Sequence, residues 1–230
     1  MNPSVTLIDV MGNDLSVVNA ARVSFNKKAT WGHHVPAQGI FELKDGDKKL
    51  IQYLAKHSHW TPFGHCTLSF HIKAPIFVAR QLVKHQVGLV WNEVSRRYVD
   101  EVPEYWLPEE WRGRPTDKKQ GSSEETVEWL DRETRTGAAV GTSCDLAVET
   151  YNRMIEAGVA PEQARMVLPQ NTYTEWYWTG TLYAFARVCN LRCKADTQEE
   201  TREVAWEIHD WAKEKFPVSW PALFYASLAV

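Results

Sequence analysis

The sequence predicts a single α+β domain over residues 1–230. Segment 66–73, CTLSFHIK, alternates apolar and polar residues as a strand with one buried face does. Predicted strands and helices do not alternate regularly along the chain, which argues against a doubly wound parallel sheet. The 11 Trp, 8 Tyr and 8 Phe supply enough aromatic surface for a packed core or for a site that binds a flat ligand.

The N-terminal half is predicted to contain a strand, two helices, a second strand and a third helix, at residues 4–10, 13–25, 47–59, 66–73 and 75–86. Asn13 or Asp14 is suited to cap the first helix, because its side-chain oxygen can accept from a backbone N–H of the first turn. Pro75 suits the first turn of the third helix, since its fixed φ is helical and its missing N–H is not needed there.

The C-terminal half begins with a segment rich in Pro, Gly and charge, residues 101–122, which predicts a long loop excursion. Ser122 and Glu125 match a capping box and predict a long helix that ends near Gly158. The remaining elements are a short helix, a strand and two helices, at residues 161–169, 171–179, 180–192 and 196–216.

Charge and cysteine content limit the partners and the compartment. The formal net charge is -3 with both signs interspersed, so no general attraction to nucleic acid or to an anionic membrane is expected. The N-terminus lacks a basic head followed by an apolar run, and no stretch of about 18 apolar residues occurs, so neither export nor membrane insertion is expected. Four cysteines without a CxxC pair predict reduced thiols in the cytoplasm.

Residues 80–98, RQLVKHQVGLVWNEVSRRY, gather many directional polar groups. On a helix over 75–86, Gln81 stands one turn before Lys84 and His85, so the three side chains share a face. A solvated polar face would explain the same pattern, and for Lys84 alone it is the simpler explanation.

The end of this stretch carries a second polar set. If residues 92–98 are extended, Glu93, Ser95 and Arg97 project from one side of the strand. A carboxylate, a hydroxyl and a guanidinium together can accept from a ring N–H or a ribose hydroxyl and donate to phosphate oxygens. A structural ion pair between Glu93 and Arg97 explains the spacing equally well.

Two later arginines, Arg165 and Arg192, stand in apolar runs. Such an arginine needs an anionic or hydrogen-bonding partner, because an unpaired buried charge is costly. An internal carboxylate would satisfy either arginine alone, whereas both together with the 80–98 cluster favour a bound phosphate or an anionic ring. The histidines within 57–71 lack the HExxH pattern and a short Cys/His module, so no metal site is predicted.

These segments match a known family. The stretch RQLVKHQVGLVWNEVSRRY resembles the signature of the flavin-dependent thymidylate synthases, the ThyX family, in which seven residues separate an Arg-His-Arg triplet from a serine. The segments DVMGNDLSVVNAARVSF, HSHWTPFGHCTLSFHIKAPIFVARQ and EAGVAPEQARMVLPQNTYTEWYWT resemble the same family, in the same order. The resemblance implies a ThyX-like fold, with a mixed or antiparallel sheet packed with helices, plus a helical lobe.

The resemblance also implies roles for individual residues. Arg192 would bind the uracil ring, stabilise its ionised N3 and so act as the catalytic residue. The residues implied in dUMP binding are Gln81, Lys84, Glu93, Val94, Ser95, Arg96, Arg97, Arg165 and Arg192. Those implied in binding FAD and folate are Ser24, His59, Thr61, Lys84, His85, Gln86, Glu93, Thr181 and Arg187.

The sequence departs from the family pattern at several of these positions. Lys84 and Gln86 replace both arginines of the triplet, which removes one formal charge and one bidentate donor fork. Eight residues instead of seven precede Ser95, which predicts a bulge, since a plain shift would reverse the strand faces. Thr181 stands where relatives often carry Asn, and Arg187 stands where they often carry Asn or His.

The implied reaction is reductive methylation of dUMP at C5, with 5,10-methylenetetrahydrofolate as the carbon donor and NADPH as the reductant of FAD. The implied assembly is a homotetramer whose active sites are shared between subunits. Two alternatives stay open: modification of another pyrimidine nucleotide on the same scaffold, for instance by hydroxymethyl transfer, and a non-catalytic nucleotide-binding module.

Overall fold

A four-stranded sheet with helices packed on it organises the computed structural model, which describes residues 2–35, 39–99, 101–116 and 121–225. The strands in these ranges are β1 (Ser4–Met11), β2 (His33–Val35), β3 (Ile40–Glu42), β4 (Thr67–Pro75), β5 (Leu89–Glu93) and β6 (Tyr173–Thr181). The helices are α1 (Asp14–Arg22), α2 (Asp45–Lys56), α3 (Ile76–Leu82), α4 (Thr136–Glu156), α5 (Pro161–Ala164), α6 (Leu182–Arg192), α7 (Glu199–Lys215) and α8 (Ser219–Leu223). Short 3₁₀ turns lie at Val23–Phe25, Thr61–His65 and Arg165–Val167.

The sheet order is β1-β4-β6-β5, and each neighbouring pair is antiparallel. The predicted α+β class and the antiparallel sheet are therefore confirmed. The strands predicted at 4–10, 66–73 and 171–179 correspond to β1, β4 and β6. The short strands β2 and β3 pair with each other in a separate hairpin, which was not predicted.

One face of the sheet forms the core, as the alternation in β4 predicts. Phe70 and Ile72 are fully buried and lie opposite Trp178 and Trp176 of β6. The ring of Phe185 on α6 meets Phe70 and Trp178 edge-on, at centroid distances of 5.1 and 5.3 Å. These large aromatic contacts fix α6 against the sheet, and so they also fix where the C-terminal end of α6 lies.

The first helix begins as predicted. Asn13 caps α1 in a capping box, because its side chain accepts from Ser16 N at 3.1 Å and the Ser16 hydroxyl accepts from Asn13 N at the same distance. The buried Asp14 has a different role, since its carboxylate accepts from the backbone N–H groups of Val218 and Ser219, at 2.9 and 2.8 Å. This pair of bonds ties α1 to the start of α8.

The helix predicted over 75–86 is shorter at both ends. Pro75 is the last residue of β4 and the N-cap of α3, so it precedes the first turn instead of lying within it. The helix ends at Leu82. Lys84 and His85 therefore do not continue the face of α3 that carries Gln81. A site that contains all three residues would depend on the turn that follows α3.

The loop excursion is longer than predicted, and the helix predicted from Ser122 is wrong at its start, because α4 begins only at Thr136. The cause is tertiary: Gly113 N donates to Glu125 O at 2.6 Å, and Ser123 N donates to Gly113 O at 3.0 Å. These backbone groups bond across the loop, so the local capping pattern does not nucleate a helix. Residues 117–120 of the predicted excursion lie outside the described residues.

Candidate functional site

The turn at residues 83–88, between α3 and β5, carries the positions that correspond to the family triplet. Leu89 N donates to Gln86 O at 3.1 Å and closes the turn. Gly88 has a φ of 79°, a left-handed conformation that glycine adopts without strain. Its carbonyl accepts from Thr181 N at 3.1 Å, so the turn is attached to the beginning of α6.

Arg192 and His85 meet at the far end of α6. The Nε of Arg192 donates to Nε2 of His85 at 3.0 Å, although the two residues are 107 positions apart. Burial, together with the nearby guanidinium groups of Arg192 and Arg187, lowers the pKa of His85 to about 4. His85 is therefore a neutral imidazole at physiological pH, with its proton on Nδ1 and its Nε2 free to accept.

This shifted pKa predicts a pH dependence of stability. Between about pH 6.5 and about pH 4 the unfolded chain binds a proton at His85 that the folded chain does not, so the free energy of unfolding falls as the pH is lowered. We expect urea unfolding of the ligand-free protein to show a loss of stability over this range that is smaller in His85→Gln. The raised carboxyl pKa values of Glu203 and Glu207, which are caused mainly by burial, act in the opposite direction in both proteins and cancel in the comparison. An identical pH profile for the two proteins would contradict the assignment.

His85 lines one of two small cavities that share Arg187. One, of about 170 Å³, is lined by the turn residues Lys84, His85 and Gln86 together with α6. The other, of about 140 Å³, is lined by His59, Trp60, Phe63, Tyr183, Arg187 and Tyr225, among others. Arg187 is exposed and makes no ion pair within the described part of the chain. The cationic side chain of Arg187 therefore lies between the aromatic residues of one cavity and the polar turn that lines the other.

Sequence reasoning missed the aromatic wall of the second cavity. Trp60 is 54% exposed, and its ring centroid lies 6.0 Å from that of Tyr183 at a tilt of 35°. A large aromatic residue directly after His59, in a turn already assigned to ligand binding, was the available signal.

The segment after β5 does not have the predicted extended form. Strand β5 itself pairs with β6 without interruption from Leu89 to Glu93, so the predicted bulge is absent from β5. Residues 95–98 form a turn closed by the hydrogen bond from Tyr98 N to Ser95 O at 2.9 Å. Strand alternation therefore does not govern where Ser95 and Arg97 project, because both lie beyond the strand end.

Within this segment, Glu93 and Arg97 have different partners. The Glu93 carboxylate accepts from the Thr174 hydroxyl at 2.8 Å and from Trp91 Nε1 at 3.2 Å. Arg97 Nε donates to the Ser95 hydroxyl at 3.4 Å. The alternative of a Glu93–Arg97 ion pair is therefore not realised among the described residues. Arg96 donates to Glu101 O at 2.7 Å, and Val94 is exposed.

Not every predicted site residue lies at the two cavities. Arg165 is exposed in the 3₁₀ turn against α4, where its Nε donates only to Glu162 O at 3.4 Å, so it is not the buried charge that its apolar flanks predicted. Ser24 and Thr61 are exposed in the other two 3₁₀ turns. The Oε1 of Gln81 is buried and finds no hydrogen-bond partner within the described residues. Thr181 serves as the N-cap of α6, with its Oγ1 accepting from Ala184 N.

A larger cavity, of about 430 Å³, lies between Trp106, Trp111 and the start of α7. Its one described cation, Arg112, is paired with Glu199 at 2.8 Å and with Glu200 at 2.5 Å. The charge of Arg112 is therefore already compensated. This cavity is larger than the two that share Arg187, but the guanidinium of Arg112 is not available to an anionic ligand.

The described residues contain no group of three or more His, Cys, Asp or Glu side chains arranged to hold a metal ion. None of the helices in the described ranges combines the length and the apolar composition needed to cross a lipid bilayer.

Comparison with known proteins gives a consistent result. Residues 6–218 match the family model described as thymidylate synthase complementing protein. A flavin-dependent thymidylate synthase of Thermosipho africanus is 37% identical over 94% of this chain and 88% of its own length. The enzyme of the same name from Thermotoga neapolitana is 39% identical over 95% of this chain and 89% of its own length.

The fold comparison agrees with the sequence comparison. The crystal structure of a UMP/dUMP methylase, PolB from Streptomyces cacaoi, bound with 5-Br dUMP, superposes with a TM-score of 0.78. It covers 98% of this chain and 95% of PolB, at 29% sequence identity. The same protein bound with 5-Br UMP superposes with a TM-score of 0.75.

Proposed function

The chain belongs to the family of flavin-dependent thymidylate synthases, and from this premise we propose that it methylates dUMP at C5 to form dTMP. The proposed cofactor is FAD, the carbon donor is 5,10-methylenetetrahydrofolate and the reductant is NADPH. The observation that supports the proposal is the contact of the half-buried Arg192 with His85, because His85 lines a cavity that shares Arg187 with a second, aromatic-lined cavity.

The chemistry of these cavities fits FAD. A flavin presents a flat ring system and two phosphate groups, which call for aromatic walls and cationic donors respectively. Trp60 and Tyr183 supply the former, and Lys84 and Arg187 supply the latter. The residues proposed to hold the flavin and the folate are Ser24, His59, Thr61, Lys84, His85, Gln86, Glu93, Thr181 and Arg187. When bound and reduced, FAD supplies the hydride that the methylation requires.

The chain's own contribution to the chemistry is electrostatic. Uracil C5 becomes nucleophilic when negative charge on N3 and O2 is stabilised, and the guanidinium of Arg192 is suited to that role. A cysteine nucleophile is not favoured, because all four cysteines are buried and burial raises the pKa of the Cys66 thiol to about 12. That the four are free thiols supports a reducing compartment, the cytoplasm, as the place of action.

Sharing of sites between subunits of a homotetramer is part of the proposal. Arg165 and the Glu93–Arg97 segment, both proposed to bind dUMP, do not line the two cavities that share Arg187 in one chain. Each is next to a large exposed apolar side chain, Met166 at 75% and Tyr98 at 78% exposure. Exposed apolar residues beside polar ones are typical of surfaces that contact another protein chain. A second subunit that covers them would bring the missing groups to the nucleotide.

Complementation between variants tests this sharing. We expect Arg165→Ala and Arg192→Ala proteins to be nearly inactive separately. When they are unfolded, mixed equally and refolded together, about one quarter of the sites should contain both arginines if two subunits form each site. No recovery of activity, in oligomers that sedimentation confirms to be mixed, would count against sharing.

The activity is tested with the purified protein, FAD, NADPH and isotopically labelled methylenetetrahydrofolate. Mass spectrometry of the product should give labelled dTMP from dUMP. UMP belongs in a parallel reaction, because the structural relative is a UMP/dUMP methylase, and dCMP tests transfer to another pyrimidine. A hydroxymethylated product would support the alternative reaction. If the protein keeps no flavin absorbance after incubation with FAD and removal of the unbound FAD, a non-catalytic module would be favoured instead.

Trp60→Ala is expected to weaken binding of the flat ligand by roughly fivefold, since loss of one stacked aromatic ring removes about 1 kcal/mol. Tryptophan fluorescence quenching during FAD and folate titrations measures this effect. Trp129→Ala is the control, because Trp129 is similarly exposed at 46% but lies in the loop before α4. Equal affinities in both variants would remove Trp60 from the site.

A further inference from the structure

We infer that His85 is a positioning residue, which orients the guanidinium of Arg192 without neutralising its charge. The inference rests on the proposed function and deepens it, because it gives a role to a side chain that flavin binding alone does not explain. It concerns how Arg192 is prepared to meet the negative charge of a pyrimidine ring.

The geometry of the contact carries the first step. Only the Nε of Arg192 is engaged, by Nε2 of His85 at 3.0 Å. The two terminal nitrogens make no hydrogen bond or ion pair with any residue in the described ranges. A bond at Nε restricts the rotation of the long side chain before the ligand arrives, and it leaves the two terminal donors free for a bidentate partner. Arg192 is therefore fixed through its Nε, while its two terminal nitrogens stay available to a ligand.

The chemical nature of the acceptor carries the second step. A carboxylate at this position would also accept from Nε, but it would form an ion pair and cancel the positive charge. A neutral imidazole gives the same hydrogen bond and leaves the full charge available to the ligand. The cavity around His85 is lined by the cations Lys84 and Arg187, and it has no Asp or Glu in its described lining.

The surroundings keep the acceptor neutral. Lys84 in the same turn and Arg187 and Arg192 on α6 are the charged groups that face His85. Burial and the two arginines lower the pKa of His85 to about 4. Protonation would replace the Nε2 lone pair by a second donor and break the contact. The cationic setting therefore protects the hydrogen bond that orients Arg192.

Three substitutions separate orientation from charge. His85→Gln retains a neutral acceptor, His85→Glu retains an acceptor but adds a negative charge, and His85→Leu removes the acceptor while filling the space. We expect kcat to fall by less than about tenfold in His85→Gln and by about 100-fold in the other two, with KM for dUMP changing less than kcat. Flavin absorbance, measured in each variant, separates this effect from loss of the cofactor.

A spectroscopic measurement makes the test independent of turnover. Bound dUMP whose N3 is ionised has a shifted ultraviolet difference spectrum, which we expect in the wild type and in His85→Gln but not in His85→Leu or His85→Glu. Equal kcat in His85→Leu and wild type at full flavin content would overturn the inference. The same holds if all three variants retain the dUMP spectrum of the wild type.

Nuclear magnetic resonance covers the case in which His85→Leu does not fold. In ¹⁵N spectra of the wild type without ligands, the Nε–H of Arg192 should be protected from exchange down to about pH 4, where His85 takes up a proton. Substitution Arg192→Lys identifies the signal. An unprotected Nε–H at neutral pH would overturn the inference even in an active enzyme, whereas failure to form dTMP would contradict the proposed function and leave this measurement intact.

Discussion

Arg192→Ala is expected to lower turnover of dUMP by about 100- to 1,000-fold while FAD remains bound. The magnitude is that of removing one preorganised donor from a site where negative charge develops in the transition state. FAD binding should survive, because the proposed flavin contacts come from other residues, including Lys84 and Arg187. Steady-state kinetics with dUMP and the flavin absorbance of the purified variant measure the two effects separately.

The control for this prediction is Arg153→Ala. Arg153 is an exposed arginine on α4, where it approaches Glu149 at 4.0 Å one helical turn away, so its removal changes the charge but not the proposed site. Turnover in Arg153→Ala should stay close to that of the wild type. If Arg192→Ala is as active as this control, Arg192 does not stabilise the pyrimidine.

Gly180→Ala is expected to destabilise the protein by about 3 kcal/mol and to impair flavin binding. A Cβ at residue 180 would lie 2.6 Å from the carbonyl oxygen of Gly88 and closer still to the Leu89 side chain. Overpacking against backbone forces the neighbouring segment to move. That segment is the turn at 83–88, whose attachment to α6 holds His85 beside Arg192.

Urea unfolding and flavin titration measure the consequences of Gly180→Ala. The matched control is Gly46→Ala in α2, where a Cβ meets nothing within 4 Å. We expect the control to leave the free energy of unfolding unchanged or to raise it by up to about 1 kcal/mol, since alanine favours the helix. A stable Gly180→Ala protein with normal flavin affinity would show that the turn tolerates displacement.

Predictions of local structure were successful where the responsible residues are close in the sequence. The alternation of residues 66–73 predicted β4, and the Asn13 cap predicted the start of α1. The same kind of local signal was wrong at Ser122 and Glu125, because backbone hydrogen bonds to Trp111 and Gly113 outweigh a capping pattern. The start of α4 therefore depended on contacts that a local window does not contain.

The assignment of the site residues stays a prediction, and the structure shows which of them lie close together. The resemblance assigned Arg192 and His85 to one family site, and their side chains are in contact. It also assigned Arg165 and the segment after Glu93, which line neither of the two cavities that contain Arg187. The aromatic wall formed by Trp60 was missed, because it exists only through the proximity of Trp60 to Tyr183, which lies on another element.

By itself, the sequence determined the α+β class, most of the strands and helices, and the family, because these follow from residue patterns a few positions long or from matched segments. Only the tertiary structure decided that α3 ends at Leu82 and that the following turn is hydrogen-bonded to the start of α6. Only the tertiary structure likewise decided that Arg192 contacts the neutral His85, 107 residues away. The physical reason is that such contacts depend on the packing of the whole core, in which Phe185 packs α6 against the sheet. The free energy of this packing comes from residues far apart in the sequence, so no short segment determines it alone.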